Sequence, residues 1–491
     1  MTSPPTRWPG RMNPTDALFW SMDKIADMRS TIGVLVILEH PPSHERLREA
    51  FERLSYELVR LRQRVVEVPF GLAPPEWIED PQFDLDYHLR YLAVPAPGGL
   101  AELLEEMSPL YATAFDRDRP LWEAYLAEGL ADGRGAIFIK MHHCATDGVG
   151  GMRLSETLLA GDGATSPLPR LPLDERSTTP AARLWRAALH NLAEGVELSS
   201  AAVSALVSAA RTPLATAGAL GQAWRTLSGF SSELTVPRAD STLHARRSLS
   251  RRLATFEMSM ADIDTVRARL NATNNDIVLT IVSGAMHRWH TSRGDDTHEL
   301  RTLMPVNLRT SADANAGNRL ALLAVTLPIG EPNPLRRLQL IQERIGRMKG
   351  DRRATLYPWL ARLMAAVPTV IAEQLSRQQT ARTNFVCTNV PGPRRVCVLA
   401  GAAIERIYPY APLVGDHPVA IALCSYQGTL FVGLDVDPLA MADLPHFLDA
   451  LRESYEEVLN VGGAAEALPS GPARRRRRTA GQQLTSEKAL P

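Results

Sequence analysis

Gly135-Ala136-Ile137-Phe138-Ile139-Lys140-Met141-His142-His143-Cys144-Ala145-Thr146-Asp147-Gly148 is the stretch on which the reading of this chain turns. Its first seven residues are apolar and β-branched enough to predict a strand, and Gly151 to Leu159 beyond it predicts a helix. The two histidines therefore stand where a strand ends. Alternation along that strand sends His143 to the face of Ile137, Ile139 and Met141, and His142 to the face of Phe138 and Lys140. Asp147-Gly148 supplies the turn, with Gly148 free to take a positive φ and Asp147 able to accept hydrogen bonds or pair with an arginine.

An imidazole is the side chain best suited to take a proton near neutrality, and a positioned general base contributes roughly 10²–10⁴-fold to a rate. Two adjacent histidines also occur as a surface pair or as a core histidine with its partner. The complete His-His-x-x-x-Asp-Gly pattern between strand and helix favours a site. Metal binding fits less well, because neighbouring strand positions diverge and no cysteine or carboxylate cluster lies nearby at ligand spacing.

Working outward, Trp122 to Ala127 predicts the preceding strand, and Asp132-Gly133 is a strong turn signal joining it to the histidine strand. Upstream, a short helix near Thr15 to Met22, a strand at Ile32 to Leu38, a helix from Ser43 to Arg62, a Pro-rich passage from Val68 to Asp80 and a helix from Leu100 to Tyr111 complete an α/β half, residues 1–165. Residues 166–245 read as a linker, Gly161 to Pro180, and a helical segment, Ala181 to Leu227. Those helices either pack on the domains or lie on a membrane, and packing is favoured. A second α/β half, 246–460, repeats the layout. Strand Arg247 to Glu257 leads to a helix capped near Ser259 and another opening at Asn275-Asp276. Strands at Glu299 to Val306 and Leu320 to Leu327, a charged helix at Leu335 to Met348, strands near Asn384, Val419 and Leu430, and a closing helix from Ala442 follow. Two halves of similar content imply a duplicated sandwich whose interface is the natural place for a channel. The tail 461–491, carrying Arg474 to Arg478, has a disordered composition.

Composition narrows the function classes. Hydrophobic residues at 45%, charged residues at 22% and a net charge of zero over 491 residues fit a two-domain globular protein and exclude a nucleic-acid binder that works through a basic excess. Only four lysines stand among 54 basic residues, a bias of GC-rich bacterial genomes. Four scattered cysteines without a Cys-x-x-Cys spacing and no secretory signal point to reduced thiols in a cytoplasm. The longest apolar runs, such as Ile32 to Leu38, are strand-length, far short of the roughly 20 residues that span a bilayer.

The heptad resembles the active-site motif of the CoA-dependent acyltransferase superfamily, which includes chloramphenicol acetyltransferase, condensation domains of peptide synthetases and bacterial wax ester synthase/diacylglycerol acyltransferases. Further blocks select among these: Pro120-Leu121-Trp122, Asn275-Asp276-Ile277-Val278-Leu279, Met304 to Arg309, Gly317-Asn318 and Thr388 to Pro393. Asn13 to Phe19, Phe83 to His88, Pro95 to Gly99 and Ser425-Tyr426 extend the similarity to about Leu459. In this order they resemble the wax ester synthase/diacylglycerol acyltransferase family.

The resemblance implies two chloramphenicol-acetyltransferase-like α/β domains with an interdomain channel. It implies acyl-CoA as co-substrate with no cofactor or metal, and diacylglycerol or a long-chain alcohol as acceptor. His143 is then the general base, His142 supports the strand, and Asp147 pairs with an arginine and holds the loop with Gly148. Oxyanion donors come from amides near Gly148 or the side chains of Asn275 or Asn307. Asn275-Asp276 either caps a helix or contributes to the site, and Pro120-Leu121-Trp122 places Trp122 either in a channel wall or in the core. Asn389 to Pro393 is a rigid turn that shapes the channel if it crosses between domains. The same resemblance implies a peripheral place on the inner membrane or lipid bodies. Alternatives are another acceptor, such as a glycolipid or polyketide, or a non-catalytic lipid-surface protein, against which the intact heptad speaks.

Overall fold

Among the described residues the apolar runs pair into two six-stranded mixed sheets and one hairpin. The computed structural model describes residues 10–145, 179–192, 241–244, 247–307, 320–350, 374, 377–378, 380–393 and 395–464. The expected helix at 151–159, the linker, most of the 181–227 segment and the Arg-rich tail lie outside the described residues. In chain order the first half holds β1 (Thr31–Leu38), β2 (Gln63–Val66), β3 (Glu76–Glu79), β4 (Leu89–Ala93), β5 (Trp122–Glu128) and β6 (Gly135–His142). The second holds β7 (Arg252–Ser259), β8 (Leu300–Asn307), β9 (Leu320–Leu327), β10 (Phe385–Val390), β11 (Val398–Leu399), β12 (Ala402–Tyr410), β13 (Val419–Tyr426) and β14 (Thr429–Val436).

The first sheet runs β11-β12-β1-β6-β5-β4 and the second β7-β14-β13-β10-β8-β9. The halves at 1–165 and 246–460 are therefore not self-contained, since β11 and β12 of the second complete the sheet of the first. Strand β12 lies antiparallel on β1, with Gly33 opposite Tyr410. The chain reaches it from β10, in the second sheet, through Pro391-Gly392-Pro393. An added Cβ at Gly392 would stand 2.1 Å from the Ser425 carbonyl oxygen and 2.7 Å from Cys424 Sγ, so the crossing is close enough to require glycine.

Each sheet carries its own core. Helices His44–Glu57 and Leu100–Ala112 lie with the first half, and Met260–Leu270, Asn274–Thr291, Pro334–Gly350 and Leu444–Ala464 with the second. The Asn274–Thr291 helix is buried at every position from Asp276 to Met286, well beyond a single apolar stripe. Strand β6 is buried along its whole length because β1 and β5 flank it. Its one cation, Lys140, is matched across the register by Glu123 at 3.1 Å and donates to the Leu110 and Thr113 carbonyls. A buried charge is tolerable only when paired in this way.

The sequence reading differs from the structure at several elements, and it expected neither β4 nor β11. The Pro-rich passage 68–80, read as a connection, contains β3, which pairs with β2, a strand just past the helix read from Ser43 to Arg62. That helix stops at Glu57, because Leu58 leaves the helical region, and Val59–Arg62 form a 3-10 turn that leads into β2. Strand β12 was also not expected: its pairing with β1, more than 360 residues earlier, has no local signature.

Candidate active site

Strand β6 ends at His142, opposite Thr31, and His143-Cys144-Ala145 form a 3-10 turn. The alternation expected for the two histidines therefore does not extend to His143, whose N–H donates to the Ser30 carbonyl at 2.8 Å while the chain turns. Both rings come to lie against one helix, α1 (Pro14–Met22), instead of on opposite faces. Asn13 caps α1 by accepting from the Asp16 N–H, and the sequence places Phe19, Trp20 and Asp23 at its end.

His142 is fully buried. Its Nδ1 accepts from the Cys144 N–H at 3.1 Å, so the ring proton sits on Nε2, which stands 3.2 Å from Asp23 Oδ1. Asp23 also receives Arg117 at 3.1 Å, and Arg117 reaches on to Glu67 at 3.3 Å. Burial pushes the Asp23 carboxyl up, but His142, Arg117 and Arg29 together outweigh it and hold the group below the usual carboxylate range. The first histidine is thus held at Nδ1 by the backbone of the turn that carries the second, with Asp23 beside Nε2.

His143 stacks on Phe19, with ring centroids 4.3 Å apart and planes inclined by 28°. Burial drives its pKa down to about 4, the neighbouring His142 acts in the same direction, and the residue's own backbone offsets part of the shift. The imidazole is neutral at working pH and able to accept a proton. Cys144 is buried and its thiol is pushed well above the ordinary range by burial, which removes it as a nucleophile. Asp147 and Gly148 lie outside the described residues.

The other expected site residues separate into two groups. Pro120, Leu121 and Trp122 back the site from within the core. The Leu121 carbonyl accepts the His142 N–H at 3.0 Å. Trp122 is buried between Phe51 and His88, and its Nε1–H donates to the Leu61 carbonyl, so it is a core aromatic and not a channel wall. Asn275 accepts from Asn389 Nδ2 at 2.9 Å, which ties a helix start to the end of β10 just before the crossing segment. Asp276 does not cap the helix alone: Thr273 is the N-cap, and Asp276 completes a capping box by accepting the Thr273 N–H. Asn307 ends β8, opposite Leu320. Among the described residues no cluster of His, Cys, Asp and Glu could hold a metal ion.

Residues 12–278 match the model of the wax ester synthase/diacylglycerol acyltransferase catalytic domain, and 316–458 match that of the C-terminal domain of the same family. The chain belongs to the wax ester synthase/diacylglycerol acyltransferase family. It is 31% identical to the probable diacylglycerol O-acyltransferase tgs1 of Mycobacterium tuberculosis, over 88% of this chain and 91% of that one. With the O-acyltransferase WSD of Acinetobacter baylyi it shares 26% identity over 91% of this chain and 96% of the relative. The fold is that of the wax ester synthase/diacylglycerol acyltransferase from Marinobacter aquaeolei, with a TM-score of 0.61 at 23% identity over 92% of this chain and all of that one. It is shared by the first condensation domain of the calcium-dependent antibiotic synthetase, TM-score 0.58 at 14% identity over 94% and 98% of the two chains. As a wax ester synthase/diacylglycerol acyltransferase family member the protein is an acyltransferase.

Within this acyltransferase, Phe19 and Asp23 are the site neighbours that sequence reasoning missed. Phe19 closed a stretch recognised only by resemblance, and Asp23 carried no signal. The contacts of both with the histidine turn span about 120 positions, a separation that no local spacing encodes.

Proposed function

We propose that the protein transfers a fatty acyl group from acyl-CoA to the hydroxyl of diacylglycerol or a long-chain alcohol, with His143 as general base. The observation that carries this reading is the neutral, desolvated His143 imidazole, stacked on Phe19 at the end of a strand whose last residue is clamped by Asp23. His143 takes the proton of the acceptor hydroxyl as its oxygen attacks the thioester carbonyl. The tetrahedral intermediate collapses by breaking the carbon–sulfur bond, and the proton passes from His143 to the departing thiolate. A site that disfavours the imidazolium returns the proton readily, and the activated thioester needs no metal or redox group.

For the oxyanion, Asn275 is the favoured side-chain donor. Its carbonyl oxygen already accepts from Asn389, which leaves the Nδ2 end to donate. The acceptors are lipids, so the enzyme works at a lipid surface, and no helix among the described residues is long and apolar enough to cross a membrane.

The test is thiol release from palmitoyl-CoA with diolein or hexadecanol, with chromatography of the products, for wild type and His143→Ala. Acceptor-dependent release lost in the variant is expected. Equal release by both proteins would remove His143 from the chemistry, and no release from folded wild type with either alcohol would remove these acceptors.

A further inference from the structure

Residues 180–192 form a helix that is inside out. The face it turns to the protein is polar. Arg186 pairs with the buried Glu76 of β3 at 2.7 Å, Arg183 donates to the Glu67 carbonyl, and Asn191 donates to the Leu72 carbonyl, with Ala187 as the buried contact between them. The face it turns away carries Trp185, Leu189 and Leu192, spaced at i, i+4 and i+7, with Trp185 67% and Leu192 68% exposed. An amphipathic helix packed for stability alone would be turned the other way.

The Asn191 bond fixes this helix beside the loop after β2, which adds two more exposed apolar residues. Phe70 is 90% exposed and Leu72 is also exposed. Phe70 adopts φ 60°, followed by Gly71 at 64°, so an aromatic residue is held in the left-handed region at the tip of a turn where it touches almost nothing. Backbone strain of this kind persists where the projecting side chain has a use. The adjoining cleft, of about 540 Å³, is lined by Lys24, Arg64, Arg117 and Arg183 with Glu67 and Asp118; Lys24 and Arg117 are paired with Glu67, and Arg117 also with Asp23, while Arg64 makes no ion pair or hydrogen bond among the described residues.

We propose that Phe70, Leu72, Trp185, Leu189 and Leu192 are a docking surface for an anionic lipid layer. The apolar side chains enter the acyl boundary, and the cations beside them meet the headgroup phosphates. The charge of the cleft selects this occupant, because exposed aromatic and leucine side chains bordered by arginine are what binds an interface with negative lipids. The role of the surface, delivery of a lipid acceptor, rests on the function proposed above. The surface itself rests only on its geometry.

The experiment is flotation of the full-length protein with vesicles of phosphatidylcholine alone or mixed with phosphatidylglycerol, comparing wild type with the double variant Phe70→Ser/Trp185→Ser. Palmitoyl transfer to detergent-solubilised hexadecanol, denaturant midpoint and oligomeric state are measured alongside. The expected result is wild-type flotation that is stronger with the anionic lipid, and at least about tenfold weaker in the variant, with transfer, midpoint and mass unchanged. Equal flotation of the two proteins, or none by wild type, overturns the proposal. So does a wild-type dimer that the variant lacks, which would assign the patch to a second copy, or a lowered midpoint in the variant, which would show the patch to be covered by the chain itself. Flotation as expected without transfer by wild type would support the surface and sink the acceptor reading alone.

Discussion

Asp23→Ala separates holding the site from doing its chemistry. The substitution removes the carboxylate that meets His142 Nε2 at 3.2 Å and Arg117 at 3.1 Å, in a place where the Asp23 side chain is only 8% exposed. Breaking a buried ion pair from one side costs about 3–5 kcal/mol. Arg117, however, is about a third exposed and keeps Glu67 at 3.3 Å, which puts the expected loss nearer 2 kcal/mol, made up mainly of the unpartnered His142 proton. The kinetic effect is larger. His142 Nδ1 anchors the Cys144 N–H of the turn that holds His143, and a displacement of about 1 Å at a reacting group costs about 10²-fold. Asp23→Ala is therefore expected to lower kcat about 10²-fold with the KM for palmitoyl-CoA nearly unchanged. Asp23→Asn keeps one oxygen, which can still accept from His142 Nε2 while the amide nitrogen faces Arg117, and should recover part of that loss. Thiol-release kinetics and urea unfolding of the three proteins provide the measurements. A destabilised Asp23→Ala with wild-type kcat would refute the argument, because His142 would then serve the fold without setting the turn.

Four further expectations follow from the same structure. His143→Ala should lose about 10²–10⁴-fold in kcat while its urea midpoint moves less, since the ring of this half-buried residue has the stack on Phe19 as its described aromatic contact. The acid limb of kcat/KM should fall near pH 4 instead of the ordinary 6.5, because His143 stays neutral down to that value; a limb at 6.5 would show that the ring is solvated in the working enzyme. In the same window the unfolded chain binds protons that the folded chain refuses at His143 and at His417, both lowered to about 4 chiefly by burial. Stability should therefore be full above pH 6.5 and decline as pH falls toward 4, measurable by urea unfolding across that range. Gly392→Ala should cost about 1–3 kcal/mol in the same assay, because its Cβ meets a backbone oxygen that cannot move aside. An unchanged midpoint would mean that the crossing segment can move away from the Ser425 carbonyl.

Most of the elements were legible along the chain. Strands β1, β5, β6, β13 and β14 announce themselves as apolar, β-branched runs, and Asn13, Ser43, Ser259 and Thr273 mark helix starts by accepting the N–H groups that a first turn leaves bare. Of these, the sequence reading placed the starts at Ser43 and Ser259 well and shifted the third from Thr273 to Asn275. Strand β3 was hidden because the prolines around Glu76–Glu79 mask a short strand, and β12 because a strand's partner is set by the whole sheet.

The sequence by itself determined the chemistry and the family: a histidine pair at a strand end, followed by a set of motif blocks in one order, is a local pattern that survives without coordinates. Only the tertiary structure decided what supports that pattern. It turned both rings toward α1, brought Asp23 onto His142 and Phe19 onto His143, sent Trp122 into the core, and carried the crossing segment from one sheet to complete the other. It also turned the apolar face of residues 180–192 outward. Periodicity says that a helix has two faces, but which of them meets the protein depends on the Glu76 carboxylate and the Glu67 and Leu72 carbonyls, which lie more than a hundred residues away.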